Sequence, residues 1–201
     1  MILFKKIIRK ILKKLRTIKN NFGVKYEQLL WRGSIKIAKT TKFYQKVRIN
    51  GEGSVIIGEN TAFGFELGPM YNESSTIIQA RTKEAKIIIG NNCHFNNNVY
   101  ICSLKEIKIG NNCLIGNNVT MLDFDGHSNS KNPDERKYKP GEIEEIKIGD
   151  NVWIGCNVSI LRGAEIGDNS IIAAGSVVNR KFKSDSYIGG VPAITFGKIQ
   201  Q

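Results

Sequence analysis

The chain has 201 residues, 41% of them hydrophobic, and its 30 basic against 18 acidic side chains leave a formal net charge of +12. That length suits one domain with an appendage, and the apolar fraction excludes a disordered chain. No stretch reaches the ~18 uncharged apolar residues of a membrane span, no secretory signal is visible, and four cysteines without a CxxC pair are expected as reduced thiols in a cytosolic setting.

The basicity belongs to the first element. No acid precedes Glu27, while Lys5, Lys6, Arg9, Lys10, Lys13, Lys14, Arg16, Lys19 and Lys25 are all cationic. Over residues 2–19, Phe4, Ile8, Ile11, Leu15 and Ile18 form one stripe at helical spacing, with Ile7 and Leu12 beside it. Lys6, Arg9, Lys10, Lys13, Lys14 and Arg16 occupy the opposite arc. The pattern predicts a basic amphipathic helix over residues 1–25. Two roles fit it: lying on an anionic bilayer surface as a peripheral anchor, or packing on the body or a neighbouring subunit as a cap. Nucleic acid is a poor match, because aromatic platforms and recognition motifs are absent.

A six-residue period governs residues 26–201. A weak copy is Ile57-Gly58-Glu59-Asn60-Thr61, followed by Phe63. Stronger copies run Ile89-Gly90-Asn91-Asn92-Cys93, then Phe95 and Ile101, and Ile109-Gly110-Asn111-Asn112-Cys113, then Ile115 and Met121. Ile148, Ile154, Ile160, Ile166, Ile172 and Val178 then fall every sixth residue without a gap. A period of six matches neither a helix nor a simple two-sided strand. It matches short strands joined by turns in which Gly and Asn tolerate φ > 0. One aliphatic per six residues points inward, a small residue fills the corner, and the coils bury a core only by stacking. The expected fold is therefore an all-β solenoid. The frame lapses near residues 64–84 and 122–145, which read as projecting loops, and a tail begins at about residue 181.

The repeats, the run Asp123-Phe124-Asp125-Gly126-His127, Asn151-Val152-Trp153-Ile154-Gly155, Ala173-Ala174-Gly175-Ser176-Val177-Val178 and Gly190-Val191-Pro192-Ala193 together resemble the hexapeptide-repeat acyltransferases. Within that superfamily they look like the sugar O-acetyltransferases of the maltose and galactoside type and of lipopolysaccharide and capsule assembly. The match covers roughly residues 50–200. The resemblance implies a left-handed parallel β-helix, a homotrimer, and acetyl-CoA bound in the cleft between adjacent subunits, with a saccharide as acceptor.

Moving an acetyl group from a thioester to an alcohol needs a base for the hydroxyl proton and donors for the developing oxyanion. Histidine suits the base role, and the chain has two, His94 and His127. His127 lies in a projecting loop and matches the family's catalytic histidine, whereas His94 sits inside a repeat and reads as a surface side chain. Asp125 or Asp123 is expected to orient the imidazole, with Asp125 the better placed and Asp123 otherwise a contact for the acceptor. Asn96 matches the family asparagine that contacts the acceptor or the reacting oxygen, and Asn98 is a weaker substitute; either is equally at home as a turn residue. Arg136 either contacts the acceptor sugar or pairs with Asp134 or Glu135. On the donor side the resemblance implies Trp153, Cys156, Ala174, Asn179 and Arg180 around acetyl-CoA. The basic residues that relatives carry after the Gly-x-Pro-Ala stretch are replaced by Ile194 and Gly197, leaving Lys198 as a substitute. No metal is expected: two histidines are too few for the three-histidine site of the similar γ-class carbonic anhydrases, and Cys93-His94 lacks zinc spacing. The competing functions are acetylation of an amino sugar or of a small acceptor such as an antibiotic or serine, and a non-catalytic oligomeric scaffold. An enzyme of this kind is expected in the cytoplasm or peripherally on the inner membrane face.

Overall fold

A computed structural model of the chain describes the backbone of residues 2–30 and 33–199 and, within the N-terminal helix, the side chains of residues 7, 10–12 and 14–26. Helix α1 spans Ile2–Leu30, ending five residues beyond the predicted 1–25, because nothing after the single Gly23 breaks it. The expected stripe members Phe4 and Ile8, and the cations Lys6, Arg9 and Lys13, have side chains outside the described residues.

The rest of the chain winds into coils of three strands each. The first coil holds β1 (Ser34–Ile37), β2 (Lys42–Phe43) and β3 (Val47–Gly51); the second holds β4 (Ser54–Ile57), β5 (Ala62–Phe63) and β6 (Thr76–Ala80). The third holds β7 (Lys86–Ile89), β8 (His94–Phe95) and β9 (Tyr100–Ser103), and the fourth β10 (Glu106–Ile109), β11 (Leu114–Ile115) and β12 (Thr120–Leu122). The short helix α2 (Pro133–Tyr138) interrupts before β13 (Ile146–Ile148), β14 (Trp153–Ile154) and β15 (Ser159–Leu161) make the fifth coil. A sixth contains β16 (Glu165–Ile166), β17 (Ile171–Ile172) and β18 (Val177–Val178), and β19 (Lys181–Phe182), β20 (Ser186–Gly190) and β21 (Ala193–Lys198) close the stack. Every third strand pairs in parallel with its equivalent in the next coil, giving sheets of seven, eight and six strands on the three faces of a left-handed β-helix. Among these strands, β20 and β21 alone pair antiparallel.

Two-residue strands have no independent stability; stacking of like on like supplies it. Ile148, Ile154, Ile160, Ile166, Ile172 and Val178 are all buried, and Phe43, Phe63 and Phe95 stack through successive coils with ring centroids 5.4 and 4.6 Å apart. Each such aliphatic contributes about 1.5–3 kcal/mol by leaving water. Cys93 and Cys113 are free, buried thiols that fill corner slots as small packing residues, and the Cys113 thiol is pushed up by its hydrogen bond with Cys93 and by burial.

The turns correct one expectation. Gly and Asn share the left-handed turn position, but only there: Asn92, Asn98, Asn112, Asn118, Asn151, Asn157 and Asn169 take it with φ between 55 and 58°, and Gly163 and Gly175 take it at 73 and 74°. The glycines that follow an inward aliphatic, by contrast, have ordinary dihedrals and are needed for space. A Cβ on Gly90 would sit 2.5 Å from the carbonyl oxygen of Gly110, and one on Gly155 would sit 2.6 Å from the backbone nitrogen of Ala174. The asparagines also bond one another along the axis, Asn98 Nδ2 donating to Asn118 Oδ1 at 2.8 Å and Asn118 Nδ2 to Asn157 Oδ1 at 3.0 Å.

Two boundaries also move. Within the loop expected over 64–84, Thr76–Ala80 is a strand paired in register with β3 and β9, so the excursion ends at residue 75. Coil winding continues through β19 and β20, which pair with β16 and β17, so the tail departs ten residues later than expected, when β21 folds back.

Candidate active site

On the outer face of the eight-stranded sheet the register aligns Ala62, His94, Leu114, Trp153, Ile171 and Tyr187 in one column. Beside this column runs a groove of about 1020 Å³. Outward positions on a solvated sheet are usually polar; here Leu114, Trp153 and Tyr187 are exposed apolar side chains, the mark of a surface that receives a ligand or a partner.

The 64–75 excursion forms one wall through Gly64, Phe65 and Leu67, and two buried amides hold it in place. Asn97 Oδ1 accepts from Phe65 N at 2.9 Å, while its Nδ2 donates to Phe65 O at 2.8 Å and Pro69 O at 2.9 Å. Gln45 Nε2 donates to Met70 O at 2.9 Å, and Gln45 Oε1 accepts from Asn98 N at 3.1 Å. Sequence reasoning singled out neither Asn97 nor Gln45. The signal available for Asn97 was its place opposite the Phe65 segment, one coil away.

Four expected site residues share the groove: Asn96, Trp153, Cys156 and Ala174. The Asn96 carbonyl oxygen accepts from Asn97 N at 2.7 Å, which fixes the amide flip and leaves Nδ2 directed elsewhere, without a bond among the described residues. Cys156 is the least buried of the four thiols. Trp153 is half exposed, and Ala173-Ala174 keep the floor low. His94, expected to be an ordinary surface residue, also lines the groove.

The other expected residues lie elsewhere. Asn179, Arg180 and Lys198 are exposed and outside the lining. Asn98 belongs to the axial ladder of turn amides. Asp123 cannot meet an acceptor: it is fully buried, and its carboxylate accepts from Ser103 Oγ at 2.6 Å, Leu104 N at 2.8 Å and Lys105 N at 2.9 Å. The alternation that would put Asp123 and Asp125 on one face ends there, because the chain leaves the coil between them.

From Asp123 an arm leaves the end of β12. Asp125 N bonds Glu142 O at 2.9 Å, Gly141 N bonds Asp125 O at 3.0 Å and Ser128 N bonds Lys139 O at 3.0 Å, so two antiparallel limbs carry α2 at the tip. Asn132 caps α2, its side chain accepting from Asp134 N at 2.9 Å. His127 is exposed on one limb, and its ring makes no hydrogen bond among the described residues. Asp125 does not orient it here; the carboxylate accepts from Arg162 Nε at 2.8 Å. Arg162 also reaches Glu142 at 2.7 Å and Glu144 at 3.8 Å, clasping both limbs of the arm to β15. Arg136 pairs with neither Asp134 nor Glu135; its Nε donates to Ser130 O at 3.1 Å, and Glu135 bonds Lys139 instead.

A family model described as bacterial transferase hexapeptide (six repeats) matches residues 145–180, and one described as hexapeptide repeat of succinyl-transferase matches residues 106–123. No curated protein sequence matches the chain. Among solved structures, galactoside acetyltransferase in complex with coenzyme A is similar at 26% identity and TM-score 0.51, over 87% of this chain and 68% of that one. The hexapeptide-repeat acetyltransferase VCA0836 from Vibrio cholerae is similar at 23% identity and TM-score 0.53, over 90% of this chain and 82% of that one. An N-acyltransferase from Bacillus cereus, AntD, as a variant in complex with dTDP-4-amino-4,6-dideoxyglucose and coenzyme A, is similar at 14% identity and TM-score 0.65, over 89% of this chain and 90% of that one.

Proposed function

We propose that this chain, whose coils are built from the hexapeptide repeat of the acyltransferase superfamily, transfers an acetyl group from acetyl-CoA to a hydroxyl of a saccharide. The observation that carries this reading is the groove of about 1020 Å³ on the eight-stranded sheet, with apolar walls and a polar lining at Asn96 and His94. Its residues suit an acyl-CoA: Ala173 and Ala174 leave room for a slender chain of amides, and Leu114, Ile171 and Trp153 keep water from it. Bound there, acetyl-CoA supplies the activated acyl group. Asn96 presents an amide donor to the oxygen on which negative charge develops, and its own carbonyl is already engaged. Exposed as it is, Arg180 suits phosphate through its fork of donors.

The proton of the attacking hydroxyl goes to His127. No lining residue of the groove belongs to the arm within one chain, so in this reading the subunits assemble as a homotrimer and the arm of one brings His127 to the groove of the next. A second reading has its own support: His94 already lines the groove and would serve as base without a neighbour. Free-thiol release from acetyl-CoA across a panel of sugars and amino sugars tests both. His127→Ala is expected to lower kcat by about 10²–10⁴-fold, with His94→Ala much milder. The reverse ranking moves the base to His94, and no release with any acceptor ends the acetyltransferase reading. Because AntD was solved with an amino sugar, the acylated product is also treated with alkaline hydroxylamine, which cleaves an O-ester and leaves an amide intact. A resistant product overturns O-acetylation in favour of N-acetylation.

A further inference from the structure

The way α1 sits on the body leaves its apolar face unused. Three described residues on one side of the helix touch the body: the Arg16 guanidinium lies 5.1 Å over the Tyr71 ring, Asn20 Nδ2 donates to Tyr44 O at 2.9 Å, and Val24 is buried in the core. They are spaced i, i+4, i+8, a single stripe. The apolar stripe lies about half a turn away at 3.6 residues per turn. It is open to solvent, with Ile11 52%, Leu15 57%, Ile18 55% and Phe22 71% exposed. Of the two roles expected for this helix, packing its stripe on its own body is therefore not the one adopted.

We infer that residues 7–22 of α1 are a docking surface for an anionic lipid bilayer. Exposed Lys10 and Lys14 border one edge of the stripe and exposed Lys19 the other, so their ammonium groups reach headgroup level when the stripe enters the acyl boundary. No acidic residue precedes Glu27 to oppose this. Charge argues against the alternatives. A second copy laid stripe to stripe would bring two uniformly cationic helices together, and the rest of the chain, with 21 basic and 18 acidic side chains, has no net negative charge to attract the helix. No helix among the described residues is long and apolar enough to cross a membrane, so α1 lies along the surface. The contact at Tyr44, which also lines the groove, places the docking helix beside one end of the candidate site.

Cosedimentation of the full-length chain with vesicles of phosphatidylcholine, alone or mixed with phosphatidylglycerol, tests the inference. The chain is expected to pellet with the anionic vesicles at about 0.1 M salt, to stay in solution with the neutral ones, and to be released several-fold as salt rises to about 1 M. Combined Ile11→Ser, Leu15→Ser and Ile18→Ser should weaken the partition at least about tenfold, and the pair Lys10→Glu with Lys14→Glu should weaken it as well. Neither set touches a buried side chain, and thermal unfolding is expected to stay unchanged. The inference is overturned if the chain ignores anionic vesicles or if the serine variant binds them undiminished. It is also overturned if that variant lowers the oligomer mass while vesicle binding persists, since the stripe then belongs to a second copy. None of these outcomes depends on acetyl transfer.

Discussion

The coils from β13 to β19 and the arm over residues 123–145 are neighbours in sequence and opposites in construction. In the coils, each residue that points inward meets its own equivalent one coil above and below, so order is propagated by repetition. In the arm no position repeats. Its limbs are held by a few backbone bonds, one buried carboxylate at the root and one arginine at the flank. The comparison shows where this chain is expected to store stability and where it can carry chemistry without risking the scaffold.

The largest break comes from emptying a stacked position. Ile160 is completely buried in β15, and Ile160→Ala should cost about 2–5 kcal/mol, measured as a fall in the midpoint of denaturant unfolding. An equal cost from truncating exposed Ile143 in the arm would erase the contrast. Next in size is Asp123→Ala at the root. It strands the hydroxyl of Ser103 and the amides of Leu104 and Lys105, a loss of about 1–3 kcal/mol, and frees the 103–105 turn together with the base of the arm. Hydrogen exchange is expected to rise at both segments while β13 to β18 remain protected. The smallest effect on stability belongs to Arg162→Ala. Its ion pairs are largely exposed at the carboxylate end and contribute about 0.2–1 kcal/mol. The arm that carries His127 should nevertheless lose its fixed position, so kcat should fall while the unfolding midpoint barely moves, and Arg162→Lys should recover only part of the loss because a single ammonium cannot serve Asp125 and Glu142 in the same fork. Unchanged kcat in Arg162→Ala would mean that arm position does not govern the reaction.

Much of this molecule was legible from spacing. Ile148 through Val178 announced the coils, because a triangular cross-section repeats its interior every six residues and this run places an aliphatic at each repeat. Trp153, Cys156 and Ala174 were expected from the family resemblance rather than from spacing; Trp153 lines the groove from β14, and Cys156 and Ala174 line it from the turns after β14 and β17. The misreadings cluster where the period fails. The strand over Thr76–Ala80 was hidden behind an irregular excursion that shifted the frame, and α2 was missed although Asn132-Pro133-Asp134-Glu135 is a helix start with cap, proline and acids in order. Gly90 and Gly155 were credited with dihedral freedom when their service is to let two backbones approach, and no pattern within one coil reveals its distance to the next.

Sequence alone determined the winding of this chain and the amphipathic character of its first helix, because both arise between residues a fixed number of positions apart. Tertiary structure decided which side of that helix rests on the body, that Asp123 turns inward to the 103–105 corner while Asp125 turns out to Arg162, and that His94 rather than His127 borders the groove within one chain. Those outcomes depend on contacts between segments that do not resemble each other. They arise only when the whole stack brings the segments together, so no local period encodes them.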